Sequence, residues 1–211
     1  MKNGFLKIAA IALAGISLAG VASAQDAMAS KTTAKQLFKT GKRATIVRVL
    51  APDLVPAAYQ AALEQAANVQ KYYEAMAVSP DEGMVGASAV HAINHHSAAA
   101  AHASAIAGCN LKKKKESKPC VVVAEFLPAG YEGQRSFSLS YIATEDFKKR
   151  YRLKGKQRAF AISPVSGHWG KAIKASSLAA ARAAALAECV ANAAKDGYAD
   201  AAQECVVVSE N

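Results

Sequence analysis

The chain is poor in aromatic residues and in acids, and each shortage excludes something. Aromatic residues make up 7% of it, with a single tryptophan at Trp169, too few to stack successive bases along a single-stranded nucleic acid. Its four cysteines form no C-x-x-C pair, which argues against a thioredoxin-like or zinc-ribbon role. There is no G-x-S-x-G around any serine, and no base is visibly positioned beside Ser79 or Ser163. Past the first residues no apolar run reaches the roughly 18 to 20 residues of a membrane span.

One apolar run does occur at the start. Lys2 and Lys7 precede the stretch Ile8 to Val21, and Ala22-Ser23-Ala24 stands before Gln25. A basic head, a short apolar core and small residues at the minus-three and minus-one positions predict a secretory signal peptide over residues 1–24, cleaved between Ala24 and Gln25. Its loss removes two lysines and no acid, so the formal charge of +10 becomes +8. The mature chain is expected in the periplasm or outside the cell. Its excess of cations suits an anionic partner such as an envelope component or an acidic protein. Nucleic acid is not expected, and neither is a transmembrane span.

The chain writes one stretch twice. Ala75-Met76-Ala77-Val78-Ser79-Pro80-Asp81-Glu82-Gly83-Met84-Val85-Gly86 returns as Ala159-Phe160-Ala161-Ile162-Ser163-Pro164-Val165-Ser166-Gly167-His168-Trp169-Gly170. An alanine-rich helix and a pair of cysteines follow each copy. Cys109 and Cys120-Val-Val-Val-Ala-Glu125 answer Cys189 and Cys205-Val-Val-Val-Ser-Glu210. This is the signature of a tandem duplication. Four cysteines in an exported chain predict two disulfides, for which three connectivities exist. If each repeat folds as a unit, Cys109 pairs with Cys120 and Cys189 with Cys205.

In chain order, residues 25–43 read as a flexible lead-in, with a turn of helix near Gln36 to Phe38. Residues 44–130 form the first repeat and residues 131–211 the second. Ala44 to Leu50 alternates as a strand, and Asp53 is placed to cap a helix carrying Leu54, Tyr59, Leu63 and Ala67. Tyr72 to Val78 and Met84 to Ile93 read as strands about a Pro-Gly reversal. Ser97 caps a helix from Ala98 to Ala107, which Gly108 helps to end, and Cys120 opens a central strand. Alanines on that helix allow a close approach to the sheet. In the second repeat Ser136 to Leu139 is a candidate strand. Ser140 caps a helix to Gly155, Arg158 to Lys174 is a hairpin, Ser177 caps a helix to Ala194, and Cys205 to Ser209 is the last strand. The prediction is α+β: two βαββαβ-like repeats, antiparallel sheet or sheets with helices on one face, and one disulfide per repeat.

These residues carry a resemblance. The pattern Ala-x-Ala-(Val or Ile)-Ser-Pro-x-x-Gly-x-x-Gly, the Ala-rich helix ending in Cys and the Cys-x-Val-Val strand resemble a secreted bacterial domain of unknown function, here in tandem. The longer run from Gln70-Lys-Tyr-Tyr through Asn94-His-His-Ser97 to Tyr151-Arg152 is similar to exported proteins, some of them labelled 5-aminolevulinic acid synthase. The resemblance spans roughly Ala44 to Val208 and implies no catalytic residue or cofactor. That synthase needs pyridoxal phosphate on a Schiff-base lysine in a large α/β fold. No lysine here has such a neighbourhood, and an exported chain is cut off from acyl-CoA.

Among candidate sites, the densest polar cluster is His91, His95, His96 and His102. On one helix His91, His95 and His102 would share a face and could ligate a metal. The repeat instead puts His91 in a strand, His95 and His96 before the cap, and His102 at a solvated position matching Arg182. The four therefore read as structural or solvent-exposed histidines, with a metal or anion site at His95 and His96 as the alternative. The run Lys112 to Lys115, with Lys118, reads as a solvated loop, or as an electrostatic contact aided by Lys148, Lys149, Arg150 and Arg152. His168-Trp169 invites a ligand-stacking role, but its counterpart Met84-Val85 is merely apolar, so it reads as packing against the sheet. Glu125 and Glu210 read as solvated strand ends. With no catalytic constellation, the sequence points to a non-catalytic binding or interaction module needing no cofactor. Its alternative is an envelope enzyme or metal-binding factor using His95 and His96.

Overall fold

The computed structural model describes residues 27–133, 135, 137–151, 155–195 and 204–211. The predicted signal peptide and its cleavage point at Ala24 lie outside them, as do Ser136 and Arg152. Two four-stranded sheets organise the described residues. In the first, β2 (Thr45–Val49), β5 (Val121–Pro128), β3 (Glu74–Val78) and β4 (Val90–Ala92) lie in that order, all antiparallel. In the second the order is β1 (Met28–Ala29), β8 (Val206–Glu210), β6 (Ala159–Ile162) and β7 (Trp169–Ala172). Here β1 runs parallel to β8 and the other pairs are antiparallel.

The two sheets match in detail. Each inner strand carries a register shift at the same place in its motif, between Met76 and Ala77 and between Phe160 and Ala161. Tyr73 and Gln157 precede those strands with φ of 62° and 56°, and Asn94 and Lys174 follow the hairpins at 61° and 55°. The same backbone bond ties each pair of places: His95 N–H to Tyr73 O at 3.1 Å, and Ala175 N–H to Gln157 O at 3.0 Å.

Both long helices are started by a serine side chain, as Ser97 and Ser177 predict. Ser97 Oγ accepts from Ala100 N at 3.1 Å at the head of α3 (Ala98–Lys112), and Ser177 Oγ from Ala180 N at 3.1 Å at the head of α5 (Leu178–Lys195). Their buried stripes are small and spaced by four: Ala101, Ala105 and Cys109 on α3, and Ala181, Ala185, Cys189 and Ala193 on α5. These meet Ala75 and Ala77 of β3 and Ala159 and Ala161 of β6. With methyl groups on both sides, backbone meets backbone closely. At Gly170 in β7 an added Cβ would fall 2.3 Å from Ala185 O and from Cys189 N.

Each stripe carries its disulfide, Cys109–Cys120 and Cys189–Cys205, so the mixed α+β class and the paired connectivity are those expected. Each bridge closes a short loop and stabilises by about 3 kcal/mol in the chain-entropy view. There is no free cysteine among the described residues. No described helix is long and apolar enough to cross a membrane.

Several expectations need correction. The opposite faces of the sheets are covered too. Leu63 of α2 (Ala57–Ala66) packs with Val78, Val123 and Phe126 on one, and α4 (Tyr141–Asp146) with its π-helical continuation Phe147–Tyr151 packs on the other. There Phe147, Tyr151 and Phe160 form a ring cluster with centroids 4.9 to 5.3 Å apart. Within the stretch read as a flexible lead-in, residues 28–36 form β1 and α1 (Ser30–Gln36), with Ser30 and Thr33 buried. The strand expected over Met84 to Ile93 shrinks to β4, because turns occupy most of residues 84–88. Asp53 caps nothing; a short 3-10 turn and Pro56 precede α2. Gly108 does not end α3, which continues to Lys112: its missing side chain makes room for Val90, whose Cγ1 would stand 3.2 Å from an added Cβ.

Candidate functional site

The residues singled out by sequence meet where the two halves join. Asn94-His95-His96 leads from β4 into α3, and its backbone lies against the second hairpin turn at Gly167. An added Cβ at Gly167, whose φ is 73°, would fall 2.1 Å from Asn94 O. Only glycine fits both the left-handed backbone and the close approach. His96 is buried and fully engaged. Its Nδ1 accepts from Ser140 N–H at 2.9 Å, which fixes the proton on Nε2, and Nε2 donates to His168 O at 3.0 Å. Ser138 Oγ donates to the His96 carbonyl.

Burial pushes the His96 pKa down to about 4 against the pull of the His168 carbonyl, and burial lowers that of His95 as well. Both rings are therefore neutral at pH 7. With a proton on one nitrogen and its lone pair donated to on the other, His96 can take a metal only by breaking a bond between the halves. No group of three or more His, Cys, Asp or Glu side chains suited to a metal occurs among the described residues.

The other two histidines go elsewhere. His91 Nε2 lies 3.0 Å from Glu74 Oε2 in the first sheet. His102 is not solvated as expected: its Nε2 meets Glu125 Oε2 at 2.8 Å, tying α3 to β5. Arg182 and Glu210 make the matching tie between α5 and β8 through two bonds of 2.5 Å. The two glutamates are thus helix anchors rather than solvated strand ends: Glu125 is buried in the middle of β5, between Arg48 and Ala75, and only Glu210 ends its strand, where Arg182 holds its carboxyl below its usual range.

The lysine loop is also more ordered than a solvated tip. Glu82 Oε1 accepts from Lys114 N–H and Asp81 Oδ2 from Lys118 N–H, both at 2.8 Å, while Lys113 Nζ donates to Ser117 O at 2.7 Å. These bonds hold both carboxyls low. The side chains of Lys112, Lys114 and Lys115 remain exposed.

Two clusters escaped the sequence reading. Lys31 and Lys35, one turn apart on α1, line a cleft of about 410 Å³ with Ala34 and Lys148. Lys148 Nζ donates to Phe38 O at 2.6 Å. Their spacing of four was the available signal, hidden because that stretch reads as unstructured. Asp146, nearly buried, is held by Lys171 Nζ at 2.5 and 2.6 Å and accepts from Trp169 Nε1 at 3.3 Å. No local pattern joins residues 25 apart. Trp169 does pack on the sheet, as expected, yet it also lines a cleft of about 290 Å³ with Asn94, His168, Asn192 and Lys195.

Compared with family models, with curated proteins and with solved structures, the chain has no match in any of the three.

Proposed function

We propose that this is an exported, non-catalytic binding module of the cell envelope, built from two related repeats, whose basic surface engages an anionic partner. The observation that carries the reading is the cleft lined by Lys31 and Lys35 of α1 together with Lys148, in which no described lining residue is a carboxylate. Like charges one helical turn apart repel. An anionic group bridging them relieves that cost, and a concave wall concentrates the field. The exposed Lys112, Lys114 and Lys115, at the first hairpin, add to the positive charge of the molecule.

Export and an oxidising compartment are supported by the N-terminal pattern and by the two disulfides. The matched register shifts and left-handed residues of the two sheets support the duplication, and with it membership of the secreted family the motifs resemble. A metal at His95 and His96 has no comparable support, since both nitrogens of His96 bind the protein.

The test uses the disulfide-bonded mature protein with phosphatidylglycerol vesicles and with phosphatidylcholine vesicles. Co-sedimentation with the anionic vesicles alone is expected, declining as salt shortens the screening length below about 10 Å. A Lys31→Gln, Lys35→Gln, Lys148→Gln variant should bind several-fold more weakly. Binding that ignores salt, or favours neither vesicle, refutes the reading.

A further inference from the structure

We propose that the free edge of β4 docks an extended acidic peptide, which would join the first sheet as a further strand and seat its apolar side chains along α3. Each sheet ends in a hairpin strand, β4 or β7, with no strand beyond it among the described residues. In an antiparallel ladder alternate residues turn their backbone groups away from the neighbour, so such an edge offers N–H and C=O groups to a partner. The inward-bonding pairs are equivalent in the two hairpins: Ala75 with Ala92 and Ala77 with Val90, Ala159 with Ala172 and Ala161 with Gly170. His91 in β4 and Lys171 in β7 therefore face outward, as do the carbonyls of Ala89 and Trp169.

The two halves treat this edge differently. In the second, side chains of α5 close it: Lys171 N–H donates to Glu188 Oε2 at 2.7 Å, and Asn192 Nδ2 donates to Trp169 O at 2.9 Å. The matching positions on α3, counted from the shared stripes Ala101, Ala105, Cys109 and Ala181, Ala185, Cys189, are Gly108 and Lys112. Glycine has no side chain with which to cap His91 N–H. No described residue bonds the backbone N–H of His91 or the carbonyl of Ala89.

Beside this uncapped edge runs an apolar trough. Gly108, seated against Val90 of β4, lines a cleft of about 480 Å³ with Ala103, Ala107 and Leu111 of α3 and Val165 of the second hairpin. Leu111 is 87% exposed, so the apolar wall is uncovered. Strand side chains alternate, so a peptide paired to β4 turns every second residue toward α3, where the small residues leave room for valine-sized groups. Lys112 follows Ser104 and Gly108 in one row of the helix, which puts its exposed ammonium at the end of the trough, with Lys114 and Lys115 exposed just beyond. These cations favour acidic residues on the occupant and disfavour a second copy of this cationic chain.

The β4 edge is separate from the Lys31, Lys35, Lys148 cleft, and the test does not involve that cleft. The disulfide-bonded mature protein is titrated into a fluorescently labelled Glu-Val-Glu-Val-Glu peptide, blocked at both ends, and anisotropy is read. Saturable binding is expected, about tenfold or more tighter than for Lys-Val-Lys-Val-Lys. Methylating the valine nitrogens or the glutamate nitrogens removes one set of strand donors, and one of the two methylated peptides should bind about tenfold more weakly. Gly108→Glu and the uncharged Gly108→Gln, each long enough to reach His91 N–H as Glu188 reaches Lys171 N–H, should both weaken binding about tenfold while melting no lower than the parent. Lys112→Asn should reduce the preference for the acidic peptide, and the Lys31, Lys35, Lys148 triple variant should bind it unchanged. No saturable binding of the acidic peptide, equal binding of the basic one, full binding of both methylated peptides, or unaltered affinity in both Gly108 variants would each overturn the proposal. So would a peptide-free dimer that Gly108→Glu dissociates, because a second copy would then hold the edge.

Discussion

At His96 the imidazole works as a two-sided hydrogen-bond adaptor, accepting from Ser140 N–H and donating to the carbonyl of His168. That role needs a neutral ring. A histidine with an ordinary value of 6.5 unfolded and about 4 folded binds fewer protons in the native state across that interval. Its stabilising contribution is complete above pH 6.5 and is lost as pH falls toward 4. Between pH 7 and pH 5 this amounts to about 2 kcal/mol, with His95 acting in the same sense. Asp81, Glu82 and Glu210, held low, add acid sensitivity only at lower pH. Urea unfolding at the two pH values should show the loss, while His96→Gln should be less stable at pH 7 and fall less steeply between them, keeping only the part due to His95. Equal pH slopes in the two proteins would contradict this role. The sequence marked His95 and His96 as structural or exposed, with a metal or anion site as the alternative, and could not show the adaptor because the partners of His96, Ser140 and His168, lie 44 and 72 residues away from it.

Among elements, the contact between each alanine-striped helix and its sheet is closest at Gly170. Gly170→Ala places a methyl group into the backbone of α5, with Ala185 O and Cys189 N both at 2.3 Å and Glu188 C at 2.9 Å. Backbone has little room to yield, so a loss of about 2 to 3 kcal/mol is expected. Gly108→Ala in α3 is the contrast. There the new methyl meets only Val90, at 3.2 Å from Cγ1, and the helix gains up to about 1 kcal/mol of propensity. Thermal melts should therefore separate the two: Gly170→Ala well below the parent, Gly108→Ala at or above it. The alanine spacing and the serine caps made these helices legible in the chain. The end of α3 and the short β4 were misread, since Gly108 looks like a stop until Val90 is seen against it.

For the molecule as a whole, what matters is how two small sheets become one body. The aromatic cluster of Phe38, Tyr72, Tyr73, Tyr131 and Tyr141 draws its members from both halves, with Tyr72 and Tyr141 centroids 5.2 Å apart. The histidine adaptor and the Gly167 contact lie at the same junction. Gly167→Ala meets both a positive φ and a carbonyl 2.1 Å away, so it should part the halves more than it unfolds either. Its denaturation followed by Trp169 emission should then separate from that followed by far-ultraviolet circular dichroism, where the parent shows one transition. Coincident transitions in the variant would mean that the halves do not depend on this contact.

Local regularities settled what the sequence determined by itself: two copies of a hairpin motif, the small-residue helices with their serine caps, and the pairing of cysteines within each copy. All of these act over spans shorter than one repeat, where spacing dictates which residues share a face. The tertiary structure alone decided that β1 joins the second sheet, that Glu125 and Glu210 anchor helices, that three lysines line one cleft, and that Asn94 lies against Gly167. Those contacts join residues tens of positions apart, and no periodicity records them because burial and charge at such distances are fixed only once the chain has closed on itself.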